Sequence, residues 1–173
     1  MKRLSWKYMA GLIDGEGCID MQATRHKRDG MLYVRPRLRI TQSGPAGEIL
    51  IAILKENYGG SIEHVARKFQ NPAWQDAFTW YAIGKSDIRP VLQNVINHLI
   101  SKKEQARLAL WWLDHVGGKV VSQEARMTAR DELKAMKLDP QRLSERAEKV
   151  LAKMLRAGGS DATVQSETAR SAA

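Results

Sequence analysis

The chain reads as an α+β protein in which an antiparallel sheet carries helices on one side. Three observations predict this. Residues 18–26 and 33–42 alternate polar and apolar side chains with the period of a strand, and Asp29-Gly30 between them is a turn signal. A second strand pair, 61–68 and 77–83, follows the glycine pair Gly59-Gly60. Segments before, between and after these pairs have the apolar spacing of helices, so the order is helix, two strands, helix, two strands, helices.

The first helix is expected over residues 5–14, with Ser5 as its N-cap. In the strand 18–26, Asp20, Gln22, Thr24 and His26 share one face, and Ile19, Met21 and Ala23 share the other. The strand 33–42 turns Tyr33, Arg35, Arg37 and Arg39 one way and Val34, Leu38 and Ile40 the other. Pro36 inside that run predicts an edge or an irregular ladder. Gly44-Pro45 breaks the chain before a helix over 46–57. In the second pair, Glu63, Val65 and Arg67 alternate with Ile62 and His64, and Thr79 and Tyr81 alternate with Phe78, Trp80 and Ala82; Asn71-Pro72 supplies turn chemistry in the loop 69–76. Helices follow over 86–99, capped by Ser86 or Asp87, and over 103–115. Trp111 and Trp112 are adjacent in the latter and cannot share a face, so at least one meets a neighbouring element. Two amphipathic helices, 122–136 and 141–156, are divided by Asp139-Pro140. The expected organisation is one domain over 1–156, with a core of about 5–115, a helical extension of about 117–156 and a disordered tail over 157–173.

A length of 173 residues, 43% hydrophobic and 27% charged, suits one globular domain with a proper core. The net charge of +9 favours a polyanionic partner, nucleic acid first. Arginines 35, 37 and 39 on one strand face repel one another, so that face must meet solvent or phosphates. No apolar run reaches bilayer-spanning length, and the N-terminal apolar stretch runs into Asp14 and Glu16, which argues against a signal peptide. With Cys18 as the only cysteine, no intrachain disulfide forms. The expectation is an intracellular protein, of a prokaryotic cytoplasm or an organelle, that is not secreted and has no membrane partner. The four histidines lack metal-ligand spacing, and no nucleotide-binding glycine loop or Ser/His/Asp set is visible, which argues against zinc and ATP-driven chemistry.

Residues 9–17, MAGLIDGEG, are the chemically unusual stretch. An apolar helix ends on two acids, Asp14 and Glu16, where the helix dipole disfavours carboxylates, so something positive must meet them. Glycines 15 and 17 leave the backbone free to turn there. The stretch resembles the LAGLIDADG motif of homing endonucleases, with Met9 for the first Leu and Glu16 for the second Asp. The resemblance implies an αββαββα core whose saddle-like antiparallel sheet binds DNA. It also implies a site-specific endonuclease that cuts both strands of a long, near-palindromic double-stranded target. One motif per chain implies a homodimer, packed through Met9, Ala10, Gly11 and Ile13. Glu16 is then the metal ligand, with the Gly15 carbonyl beside it, and the cofactor is Mg²⁺, with Mn²⁺ as an alternative. Gln42, at the end of the arginine strand, and Lys102, counted back from Gln105-Ala106, match the family's active-site glutamine and lysine. Read alone, they are a strand-end hydrogen bonder and a solvated helix-start cation. DNA contact is expected from Asp20, Gln22, Thr24, His26, Tyr33, Arg35, Arg37, Arg39, Glu63, Val65, Arg67, Thr79 and Tyr81. Two alternatives share the fold: a maturase that binds intron RNA, and a catalytically silent DNA-binding protein.

Overall fold

The computed structural model describes residues 4–25, 27, 30, 32–67, 69, 71–116, 122–135 and 149–153. Helix α1 spans Trp6–Glu16, β1 Gly17–Arg25, β2 Leu32–Ser43, α2 Gly44–Tyr58, β3 Ser61–Val65, β4 Ala77–Ile83, α3 Lys85–Val95, α4 Lys103–His115 and α5 Gln123–Ala135. The four strands form one antiparallel sheet in the order β1-β2-β4-β3. Each hairpin pairs within itself, and β2 and β4 meet at the centre. The expected tail, the Asp139-Pro140 break, most of the helix 141–156 and His26 lie outside the described residues.

Register explains the layering. Ile19 and Met21 of β1, Leu38 and Ile40 of β2, and Trp80 and Ala82 of β4 are buried on one face. Against them pack Met9, Ala10 and Ile13 of α1, Ile51 and Leu54 of α2, Ile88, Val91, Leu92 and Val95 of α3, and Leu108 and Trp112 of α4. Trp112 belongs to the core and Trp111 lies at its margin, stacked on His115 at 4.6 Å between ring centroids, so the adjacent pair divides as its spacing requires. Helix α5 packs against β1 and β2 through Ala125, Ala129 and Leu133.

Several boundaries differ from expectation for physical reasons. The Gly44-Pro45 break is the first turn of α2, because proline at that position fits a helix start, where its missing N–H costs nothing. The cap of α3 is Gly84, at φ 85°, so Ser86 and Asp87 fall in the first turn and Ser86 donates to Asp87 instead. That helix ends at Val95, and Pro90 lies inside it. Pro36 sits just beyond Arg37, where the ladder between β2 and β4 ends, so the central strand is an edge at that point. The turn into β3 needs glycine: Gly59 and Gly60 have φ of 72° and 77°, and the Trp80 indole N–H donates to the Gly59 carbonyl at 2.8 Å.

The acidic turn and the outer sheet face

Ser5 caps α1 by accepting from the Tyr8 N–H at 3.2 Å. Tyr58 and Asn57 at the end of α2 bond the backbone of Leu4, fixing where the helix begins. The phase that follows corrects one expectation. Met9, Ala10 and Ile13 are 0–1% exposed in the chain's own core and offer nothing to a partner. An apolar run does not reveal which side of its helix is covered from within. The open side carries Tyr8, Gly11 and Gly15, and an added Cβ at either glycine would meet nothing within 4 Å. Gly17 is different, because a Cβ there would lie 2.7 Å from the Ile13 carbonyl oxygen.

The two acids have separate fates. Asp14 accepts three hydrogen bonds from the approach to α4: the Ile100 N–H at 2.7 Å, the Ser101 hydroxyl at 3.0 Å and the Lys102 N–H at 3.0 Å. In return the Lys102 ammonium donates to the carbonyls of Ile13 at 2.8 Å and Asp14 at 2.6 Å. Lys102 therefore caps the end of α1, where carbonyls lack partners and the helix dipole favours a cation. Glu16, one residue past Gly15, is exposed and makes no hydrogen bond or ion pair among the described residues. Gln42 lies at the same end of the sheet, two residues past Ile40, which pairs with Gly17. Its side chain is on the helix side of β2, against α2, since a Cβ at Gly47 would come within 2.8 Å of the Gln42 Cβ.

The opposite sheet face collects the residues expected to meet DNA. Cross-strand partners there are Thr24 with Tyr33, Gln22 with Arg35, Asp20 with Arg37, Arg39 with Tyr81, and Glu63 with Thr79. Val65 completes the row at the end of β3, and Arg67 lies past the strand with its N–H on an Asp76 carboxylate oxygen at 3.0 Å. Asp20 grips Arg37 through both oxygens, each at 3.0 Å, and reaches Arg39 at 3.5 Å. That hydrogen bonding raises the pKa of Arg37 above its ordinary value despite partial burial. Burial and the hydrogen bond to Glu63, at 3.0 Å, raise the Tyr81 phenol. Thr79 is only 8% exposed and its hydroxyl is shared with Thr41 at 2.9 Å, so Thr41, not anticipated, is the accessible member of that pair. Arg126 of α5 lies 5.4 Å from the centre of the Tyr33 ring, and Arg130 and Lys134 line a cleft with Gln22 and Asp20.

Among the described residues no three His, Cys, Asp or Glu side chains converge on one point. The chemistry of the acidic turn still fits a hard divalent cation. One unengaged carboxylate, with backbone carbonyls beside it, suits an ion that keeps several waters and shares its shell with phosphate.

The family model described as LAGLIDADG endonuclease matches residues 9–106. No curated protein matches the chain. Among solved structures, the chain resembles the homing endonuclease I-CvuI, in complex with the I-CreI target in the presence of Mg, at 18% identity over 86% of this chain and 93% of that one, with a TM-score of 0.61. I-TnaI, another homing endonuclease, aligns at 17% identity over 88% and 99%, with a TM-score of 0.56. The LAGLIDADG homing endonuclease I-SmaMI, bound to cleaved DNA, aligns at 20% identity over 88% of this chain but 49% of its own, with a TM-score of 0.59. At these identities the likeness establishes the fold.

Proposed function

The chain belongs to the LAGLIDADG endonuclease family, and from that membership we propose that it is a site-specific double-strand DNA endonuclease acting as a homodimer with Mg²⁺. The observation that carries the reading is the exposed, unengaged Glu16 at the end of a helix whose following strand opens the arginine-bearing sheet face.

The outer face positions the duplex. Arg35 and Arg39 are exposed and meet phosphates or base edges, while Gln22, Thr24 and Tyr33 border them. Glu16 and the Gly15 carbonyl would hold the metal, which when bound activates water and stabilises charge on the phosphorane. Lys102 adds positive charge beside the same turn. In the reaction, water adds to phosphorus, the bond to the 3′ oxygen breaks, and that oxygen leaves protonated. A chain with one acidic turn cuts one strand, so the second cut requires a second copy. The open side of α1 supports that pairing: Gly11 and Gly15 permit close helix approach, and Ile100, beside the helix end, is 90% exposed.

Glu16→Gln tests the reading. It keeps the size and removes the charge that retains the cation. Cleavage of a selected duplex in Mg²⁺ should fall by orders of magnitude, while binding to the same duplex in Ca²⁺ stays within about twofold. Wild-type cutting by the variant would sink the nuclease assignment to this turn.

A further inference from the structure

We infer that Asp14 and Lys102 form one reciprocal clasp that fixes the last turn of α1, so that Asp14 is a positioning residue for Glu16 and not a second metal ligand. The role given to Glu16 rests on the proposed function; the clasp itself rests on geometry alone.

Both Asp14 oxygens are occupied, Oδ2 by the Ile100 N–H and Oδ1 by the Ser101 hydroxyl and the Lys102 N–H. Three of the carboxylate's roughly four acceptor positions are taken, so a cation at Asp14 would compete with these donors for the same charge. The held segment has little other anchorage. Leu99 before it and Gln105 and Ala106 after it are buried, whereas Ile100 is 90% exposed and Ser101 is exposed. Polar contact with Asp14 therefore sets where residues 100–102 lie, and with them the Lys102 ammonium. That ammonium closes the loop by capping the carbonyls of Ile13 and Asp14, while the Gly17 N–H bonds the Ile13 carbonyl from the other side. The Gly15 carbonyl and Glu16 carboxylate stand between these fixed points. Loss of either partner releases the same turn, since uncapped carbonyls leave the helix end to fray. The clasp also supplies positive partners at this helix end: Asp14 finds them in N–H groups, and the carbonyls of Ile13 and Asp14 find theirs in the Lys102 ammonium, while Glu16 is left unengaged.

The test is a double-mutant cycle with Asp14→Asn, Lys102→Met and the double variant, read in two ways. Urea unfolding of the metal-free protein should show strongly non-additive losses, the double variant being hardly less stable than the worse single one. In cleavage, each single variant should raise the Mg²⁺ half-saturation concentration by about 10–100-fold, and the double variant should add little to that. Lys102→Arg, which keeps donors for the two carbonyls, should recover most of the loss, and Ser101→Ala should give a milder version of Asp14→Asn if the latter folds poorly. Multiplicative effects in both readouts would overturn the clasp. So would an Asp14→Asn protein of wild-type stability that fails to cut, because that is the signature of a metal ligand. If the wild-type protein cuts no DNA, the nuclease reading fails while the unfolding cycle still decides the clasp.

Discussion

Asp20 withholds positive charge from the outer face, and its removal should be visible in the salt dependence of binding. Three arginines of β2 point outward, but Asp20 engages Arg37 through both oxygens at 3.0 Å and approaches Arg39 at 3.5 Å, leaving Arg35 without an ion pair among the described residues. Each phosphate neutralised contributes a slope of roughly 0.9 in log K against log salt. Arg35→Ala should flatten the slope by about 0.9 per chain, or about 1.8 for two chains on one duplex. Asp20→Asn should do the reverse, steepening it by about the same amount as Arg37 is released. Between 50 and 200 mM salt, a change of about 1.8 in slope amounts to about a tenfold difference in affinity. Fluorescence anisotropy with a labelled duplex in Ca²⁺ measures this, in a Glu16→Gln background so that the DNA stays intact. A slope unchanged by Asp20→Asn, with Arg35→Ala flattening it as expected, would show that the pair seen here does not restrain Arg37 on DNA. Indifference to both changes would remove the sheet face from the interface.

Two further outcomes follow from the glycines of α1. Gly11→Leu should leave the fold intact or slightly more stable, because a Cβ added there meets nothing within 4 Å and leucine favours helix over glycine by up to about 1 kcal/mol; sedimentation velocity should show dimer turned to monomer, and a persisting dimer would place the interface elsewhere. Gly17→Ala should cost about 1–3 kcal/mol in urea unfolding, since its methyl would meet the Ile13 backbone at 2.7–2.8 Å, atoms that cannot swing aside.

Local signals explain what was legible beforehand. Ser5 is a cap by chemistry, the Arg35–Arg37–Arg39 stripe follows from period two alone, and Gly59-Gly60 marks a turn whose positive φ favours glycine. The hidden parts depend on groups distant in sequence. The Asp20–Arg37 pair needs the register of the first hairpin, which fixes residue 20 opposite residue 37. Asp14 looks like a stray helix-end acid until the segment 100–102 is brought beside it. The mistaken interface residues Met9, Ala10 and Ile13 show a further limit: close packing within a chain and close packing between chains call for the same small and apolar residues.

The bonds that finish α1 join residues 86 to 89 positions apart. They give the acidic turn a place late in the order of assembly, since such long loops close only after nearer contacts have formed. During synthesis at about 5–20 residues per second, residues 9–17 wait roughly ten seconds for Lys102 to be made. Glu16 thus leaves the ribosome early, but its helix end is completed only when the second hairpin and α3 already exist. An interrupted chain would carry the whole motif and no finished helix end, and a fragment ending before residue 100 should fail to cut a duplex even where its first hairpin forms.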